Sequence, residues 1–134
     1  MAAASLSAVA GVAHLGCIAF GGPWYRFFGA GERMARMAEA GHWYPTAITS
    51  VIAAVLFTWA LYALSGAGVI RRLPLTKLAL CLITAVYIGR GVGFVAIMSA
   101  FPGNSLTFWL VSSGISLAIG LLHLAGLRQV WARL

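Results

Sequence analysis

The stretch TAITSVIAAVLFTWALYALSGAGVI, residues 46–70, contains no charged side chain. A helix needs about 20 predominantly apolar residues to cross the hydrocarbon core of a bilayer, so this stretch predicts a transmembrane helix. The whole chain shares its character, since 62% of the residues are hydrophobic and 8% are charged, against roughly 25% charged in soluble domains. Four stretches in all meet the length and composition of a span: residues 3–20, 46–70, 78–100 and 106–127.

Short connections between these spans predict the fold class, an all-α integral membrane protein built as an up-down four-helix bundle. Pro74 in the second connection and Pro102 in the third prevent the incoming helix from continuing. We expect Asn104 or Ser105 to cap the last helix. No room remains for a soluble module, so residues 1–134 are predicted to form a single transmembrane domain. The first span lacks the basic flank and cleavage pattern of a secretory signal, and we expect it to be retained.

The basic residues predict an orientation. They are spread over loops and helix ends and do not form one patch, so we expect no nucleic-acid partner. Cytoplasmic loops of membrane proteins carry an excess of Lys and Arg. We therefore expect a multi-pass protein of the cell inner membrane, with both termini cytoplasmic and the lipid bilayer as its partner. Five basic residues lie on the predicted inner side and three on the outer side: Arg71, Arg72, Lys77, Arg128 and Arg133, against Arg26, Arg33 and Arg36.

Aromatic residues mark the predicted membrane boundaries, because amphipathic rings favour the headgroup region. Trp131 lies at the inner boundary. The outer boundary has a larger group, comprising Trp24, Tyr25, Trp43, Tyr44, Phe101 and Trp109. We expect most of these rings to be interfacial anchors.

Arg90 is the one charged residue inside a predicted span, and it lies midway along the third. A charge at that depth costs roughly 2.5 to 3.5 kcal/mol on insertion scales, so it needs a compensating partner. The adjacent Gly91 and Gly93 carry no side chain, which suits close approach by another backbone or by a ligand head group. Tyr87, one turn earlier, and Tyr62 in the second span extend a polar seam through the predicted bundle.

Both carboxylates of the chain, Glu32 and Glu39, lie in the connection between the first two spans. The segment WYRFFGAGERMARMAEAG, residues 24–41, predicts a short amphipathic helix at the outer interface. One interpretation is local, because Glu32 and Arg36 are four residues apart and Glu39 lies three beyond Arg36, so the side chains pair on a wet surface. In the alternative, the segment folds back into the mouth of the bundle and Glu32 approaches Arg90.

The sequence predicts no catalytic residues, no metal ligands and no cofactor. His14 and His123 differ in predicted depth by roughly 15 Å, so the pair does not suit the two axial positions of one haem. We expect each embedded histidine to form an interhelical hydrogen bond. Cys17 and Cys81 have no metal-ligand spacing and are interpreted as small core residues. No Ser/His/Asp set is present either, which favours a non-enzymatic protein.

Two stretches carry a family resemblance. They are RMAEAGHWYPTAIT, residues 36–49, an outer amphipathic segment that ends in Gly and Pro, and LYALSGAGVIRRLP, residues 61–74, a span that closes in Gly before a basic loop. In this order the chain resembles the DoxX-like group of small four-helix membrane proteins. The resemblance implies a helix bundle with quinone-linked or accessory roles in some members. Members often have a Glu within the second span, and this chain has none there.

These features lead to two functional hypotheses. The first is that an amphiphile (a lipid, a quinone-like molecule or another compound with an anionic head group) or a partner helix binds in a polar intramembrane pocket centred on Arg90. That pocket is expected to open toward the outer face, with Arg90, Tyr87, Glu32, His14 and Tyr62 as its ligand-binding residues. The alternative is a small transporter or channel that uses the same polar seam. Four helices seldom enclose a pore, so this alternative requires a homo-oligomer.

Overall fold

The computed structural model describes residues 1–134 and is all-helical. Three helices are long and apolar enough to cross a membrane, and a sharply bent pair of helices makes a fourth candidate span if it is counted as one. The helices are α1 Ala2–Phe20, α2 Gly22–Phe27, α3 Glu32–Glu39, α4 Trp43–Gly66, α5 Thr76–Val92, α6 Phe94–Ile97 and α7 Leu106–Val130. Short 3₁₀ turns at Met98–Ala100 and Trp131–Arg133 follow α6 and α7.

The long helices associate as two pairs. α1 packs along α4 and α5 packs along α7, and the pairs meet through contacts between α4 and α5 and between α1 and α7. Glycine permits the close approach of α5 and α7. A Cβ atom on Gly91 would lie 2.7 Å from Leu117 Cβ, and one on Gly120 would lie 2.9 Å from the backbone nitrogen of Ile88. This packing through small residues is typical of helices that associate in lipid.

Apolar side chains cover the surface of this molecule as well as its interior, which is unusual for a water-soluble bundle. Only 27 of the 134 residues are buried, and large apolar side chains are exposed along every long helix. Soluble monomers rarely expose apolar patches larger than a few hundred Å². The interior combines apolar side chains with hydrogen-bonded polar ones, and none of its buried side-chain nitrogen or oxygen atoms lacks a partner. The buried polar residues are Ser7, Thr49, Ser65, Thr76, Thr84, Ser113 and His123.

The predicted third span, residues 78–100, is broken. α5 ends at Val92, and the chain turns by 75° into α6 and the 3₁₀ turn that follows it. At the break, the N–H of Gly93 donates to the carbonyl of Gly89 at 2.8 Å. A Cβ atom on residue 93 would lie 2.7 Å from that same carbonyl oxygen, so this geometry requires glycine. The glycines around Arg90 therefore end the helix as well as admitting its neighbour.

Individual residues determine where α1 ends and where α2 and α7 begin. Gly21 ends α1 with a φ of 73°, and Pro23 occupies the first turn of α2, where its missing N–H has no cost. At the start of α7, the Ser105 hydroxyl accepts a hydrogen bond from the Phe108 N–H at 3.0 Å. Of the two candidate caps, Ser105 is thus the one that caps α7, and the Asn104 side chain is free to bond elsewhere.

Candidate functional site

A cavity of about 480 Å³ lies between the two helix pairs, where α1 ends and α4 begins. We call it the outer cavity, because it lies at the end of the molecule that the sequence predicts to face outward. Its volume falls within the roughly 300 to 1,000 Å³ of small-molecule sites. Most of its lining is apolar or aromatic, and the polar side chains that reach it are His14, Tyr25, Thr49 and Arg90. An apolar chamber with a few polar groups is the usual construction of a ligand site.

Arg90 supplies the charge of this cavity and has only neutral partners. Its Nη1 donates to the Ser113 hydroxyl and its Nη2 to the Ser112 hydroxyl, both at 2.9 Å. The guanidinium carbon lies 5.4 Å from the ring centroid of Trp109, a cation–π arrangement. No carboxylate pairs with it, because the ion pairs of this chain involve Arg26 and Arg36. Trp109 is buried, so its predicted role as an interfacial anchor is wrong.

A cover segment, residues 22–39, lines one end of the cavity. It contains α2, the turn after it and α3. Tyr25, another predicted anchor, is buried instead, and its hydroxyl lies 3.0 Å from the Thr49 hydroxyl of α4. Asn104 donates from Nδ2 to the Gly29 carbonyl at 3.0 Å. The cover segment is therefore attached to both helix pairs, through α4 on one side and the loop before α7 on the other.

Arg26 binds both carboxylates of the chain and joins α2 to α3. Its Nε lies 2.8 Å from Glu32 Oε2, and its Nη1 lies 2.5 Å from Glu39 Oε1. Arg36 adds a contact of 3.1 Å to Glu32. The local interpretation of the acidic residues is thus the one that the structure supports, and the approach of Glu32 to Arg90 is wrong. The dominant partner, Arg26, was not predicted.

These ion pairs change the protonation of the exposed carboxyl groups. Hydrogen bonds from Arg26 and then from Arg36 lower the pKa of Glu32 to about 2. The hydrogen bond from Arg26 also lowers the pKa of Glu39. In return, the two carboxylates raise the pKa of Arg26. The cover segment therefore keeps both negative charges at neutral pH, and neither is available to the cavity.

His14 places a second polar group at the cavity. Its Nδ1 lies 2.8 Å from the carbonyl oxygen of Ala10, one turn earlier on α1. A carbonyl only accepts, so Nδ1 carries the proton in this arrangement. In the neutral ring Nε2 is then an acceptor and has no protein partner. His14 bonds within its own helix, so the expected interhelical bond is wrong for this residue.

The five predicted ligand-binding residues do not share one pocket. Arg90 and His14 both line the outer cavity, whereas Tyr87, Tyr62 and Glu32 do not. Tyr62 donates to the Pro74 carbonyl at 3.2 Å near the other end of α4. Glu32 lies on the exposed face of the cover segment with Arg26.

Tyr87 belongs to a polar cluster at the centre of the molecule. Its hydroxyl lies 3.0 Å from the Ser7 hydroxyl, which is also 3.1 Å from His123 Nε2. The rings of Tyr87 and His123 stack with centroids 5.3 Å apart. His123 thus forms the interhelical hydrogen bond expected of an embedded histidine. On the side of this cluster away from the outer cavity, a second cavity of about 290 Å³ lies between the same helix pairs, and His123 lines it. We call it the inner cavity, after the predicted inner face.

The sequence signals for this site were partial. The charge of Arg90 within an apolar span indicates the centre of the site, and Ser112, Ser116 and Gly120 recur every four residues along the fourth span. No signal in the sequence joined Tyr25 to Thr49 or Asn104 to Gly29, because those contacts depend on the path of the cover segment.

Comparison with protein-family models, with curated proteins and with solved structures gives no match to this chain. The interpretation of the site consequently rests on its own residues.

Proposed function

We propose that this chain is an integral membrane protein that binds an amphiphile in the outer cavity through an anionic or carbonyl head group. Its architecture is an up-down four-helix bundle of DoxX-like layout, in which α5 and α6 together form the third span. The apolar exterior supports this, and so does the complete pairing of the buried polar side chains, because lipid satisfies no polar group.

The observation that carries the proposal is the charge of Arg90 beside a mostly apolar chamber with no carboxylate. A guanidinium has five N–H donors, and two of them reach the serine hydroxyls. A carboxylate, phosphate or polarised carbonyl group is the partner that such a group binds most strongly. An acceptor delivered by a ligand therefore offsets the cost of placing this charge in the membrane.

His14 narrows the chemistry of the head group further. Its Nδ1 is bonded to Ala10, so only Nε2 is available to a ligand. In its neutral form that nitrogen accepts from a hydroxyl group, while Arg90 donates to an oxygen. Lipids with a hydroxylated head group and quinone-like molecules in their reduced form both offer this combination. The apolar lining by Ile48, Ile52 and Met34 suits the remainder of such a molecule.

The orientation that we propose places the cover segment at the outer face and both termini in the cytoplasm, with the inner membrane as the location. Five of the nine basic residues lie at the end opposite the cover segment, which is the bias expected of a cytoplasmic face. Trp43 and Tyr44 are exposed at one end and Trp131 at the other, as interfacial anchors are. A ligand then reaches the cavity from the outer leaflet.

The test is a mass-spectrometric inventory of small molecules that co-purify with the protein in mild detergent. We expect one amphiphile to be enriched with the natural sequence and lost with Arg90→Gln, whereas Arg90→Lys retains part of it. Arg33→Gln is the matched control, because Arg33 is exposed and makes no ion pair.

A second pair of variants separates filling of the cavity from loss of charge. Ile52→Trp introduces a large ring at the cavity wall, and Val51→Trp places the same ring on the exposed face one residue earlier. We expect only Ile52→Trp to displace the amphiphile. Equal ligand content in the Arg90→Gln and Arg33→Gln proteins would show that the cavity is not the binding site.

Transport is the second candidate function, and the inner cavity favours it. Two chambers at opposite ends of one interface, separated by the cluster of Ser7, Tyr87 and His123, are what alternating access to a substrate needs. If several copies assemble, these polar side chains could instead line the pathway of a homo-oligomeric channel. A monomer in detergent that retains the amphiphile favours binding, and a stable oligomer that moves it across liposome membranes favours transport.

A further inference from the structure

The end of the molecule opposite the cover segment is basic and has no acidic side chain. The loop between α4 and α5 contains Arg71 and Arg72, and Lys77 lies in the first turn of α5. Arg128 lies in the last turn of α7, and Arg133 lies in the 3₁₀ turn that follows. Glu32 and Glu39 are both held by Arg26 at the other end. The positive charge of this basic end is therefore not neutralised by any side-chain carboxylate.

Specific contacts bring the two basic segments together. The Arg72 guanidinium donates to the backbone carbonyl of Arg133 and, at 3.4 Å, to that of Leu134. Lys77 Nζ lies 3.8 Å from the ring centroid of Trp131. The loop before α5 is thus fixed against the turn that follows α7. Arg71 and Arg128 remain exposed and make no ion pair.

The inner cavity lies at this same end and is mostly apolar. It lies between the helix pairs and is lined by residues such as Ala63, Gly66, Leu122, Gly126 and Val130. Its volume of about 290 Å³ is close to the lower limit of ligand sites. Gly126 lines this cavity, and a Cβ atom added there would meet nothing within 4 Å.

We propose that the basic end and the inner cavity together bind an anionic phospholipid. The phosphate lies against the exposed guanidinium groups of Arg71 and Arg128, and one acyl chain occupies the apolar cavity. Charge complementarity selects an anion, and the apolar space beside it selects a lipid over a soluble phosphate compound. This site is separate from the outer cavity and does not use Arg90, so it stands whether or not an amphiphile binds there.

The experiment is native mass spectrometry of the full chain in mild detergent, titrated with phosphatidylglycerol or with phosphatidylcholine of the same acyl chains. We expect phosphatidylglycerol to bind more tightly. Arg128→Gln and Arg71→Gln should each weaken its binding about fivefold, because one basic residue near an anionic lipid contributes about that factor. Arg33→Gln at the opposite end is the control and should leave the affinity unchanged.

The role of the cavity is tested with two leucine substitutions on α7. Gly126→Leu places a side chain in the space at the inner cavity. Gly114→Leu is the matched control, because a Cβ atom there also meets nothing within 4 Å and this residue lines neither cavity. We expect Gly126→Leu to reduce phosphatidylglycerol binding several-fold and Gly114→Leu to leave it unchanged.

Three results would overturn the proposal: equal affinity for the two lipids, equal effects of Arg128→Gln and Arg33→Gln, or displacement of the lipid by millimolar inorganic phosphate alone. Circular dichroism of each variant verifies that the helices are retained. Loss of the outer amphiphile in Arg90→Gln with unchanged phosphatidylglycerol binding is the expected pattern for two independent sites.

Discussion

Ser7→Ala is expected to destabilise the folded protein by about 2 kcal/mol, because it removes both hydrogen bonds at the centre of the molecule. The Ser7 side chain is fully buried and connects Tyr87 on α5 with His123 on α7. Interhelical hydrogen bonds in membrane proteins average about 0.6 kcal/mol and reach about 1.7, so two bonds give roughly 1.2 to 3.4 kcal/mol. The buried hydroxyl and ring nitrogen that lose their partner place the expectation near the middle of that range.

The measurement is equilibrium unfolding in mixed micelles with increasing SDS, followed by tryptophan fluorescence. Trp59 is a suitable reporter, since its ring lies 5.2 Å from that of Tyr87. Ser5→Ala is the matched control on the same helix, because the Ser5 hydroxyl is exposed and bonds only to the carbonyl of Met1 at 3.3 Å. Its effect should stay within about 0.5 kcal/mol, as for most surface substitutions.

A double-mutant cycle with Tyr87→Phe identifies the source of the effect. Once the tyrosine hydroxyl is absent, Ser7→Ala should cost less by about 0.6 kcal/mol or more, because one of its two bonds has already been removed. The reasoning is refuted if Ser7→Ala and Ser5→Ala unfold within about 0.5 kcal/mol of each other, or if the two substitutions are additive.

Two further expectations concern helix packing and pH. Gly91→Ala should destabilise the pairing of α5 and α7 by roughly 1 to 3 kcal/mol, because its Cβ meets both Cβ and backbone atoms of Leu117 at under 3 Å. Gly89→Ala, where a Cβ meets nothing within 4 Å, is the control in the same SDS assay. The pKa of Glu32 is about 2 when folded and near 4.5 when unfolded, so its contribution is complete above pH 4.5 and is lost as pH falls toward 2. The opening of the cover segment, measured by hydrogen exchange relative to the intrinsic amide rate at each pH, should increase as the pH falls through this range. Arg26→Gln should reduce that dependence, since Arg36 still binds Glu32.

The helices could be predicted from the sequence because a bilayer imposes a length and a composition that are visible locally. The first predicted span, residues 3–20, nearly coincides with α1, Ala2–Phe20. The break at Gly93 was not predicted, since the consequence of a glycine depends on what packs beside it. The stretch that contains Gly89, Gly91 and Gly93 was interpreted as space for a neighbour, whereas Gly93 also ends the helix.

The site was less accessible to sequence reasoning because its contacts join distant parts of the chain. Charged residues four apart on a helix are recognisable, which is how the pair of Glu32 and Arg36 was found. Arg26 precedes its partners Glu32 and Glu39 by six and 13 residues and meets them only because the turn before α3 reverses the chain. The packing of Trp109 beside Arg90 depends on the register and rotation of α7 against α5, which no local pattern predicts.

The carboxylates of this chain lie beside an exposed arginine and not beside Arg90, which is the reverse of what stability alone favours. Exposed ion pairs contribute little, so the two carboxylates stabilise the fold only weakly where they bind Arg26. A carboxylate beside Arg90 would neutralise a charge within the predicted span, yet that position holds two serine hydroxyls. Serine bonds the guanidinium without cancelling its charge, and it leaves the remaining donors to a molecule in the cavity. A permanent counter-ion from the protein would compete with any anionic ligand, so the absence of a carboxylate at Arg90 supports the proposal that this cavity binds one.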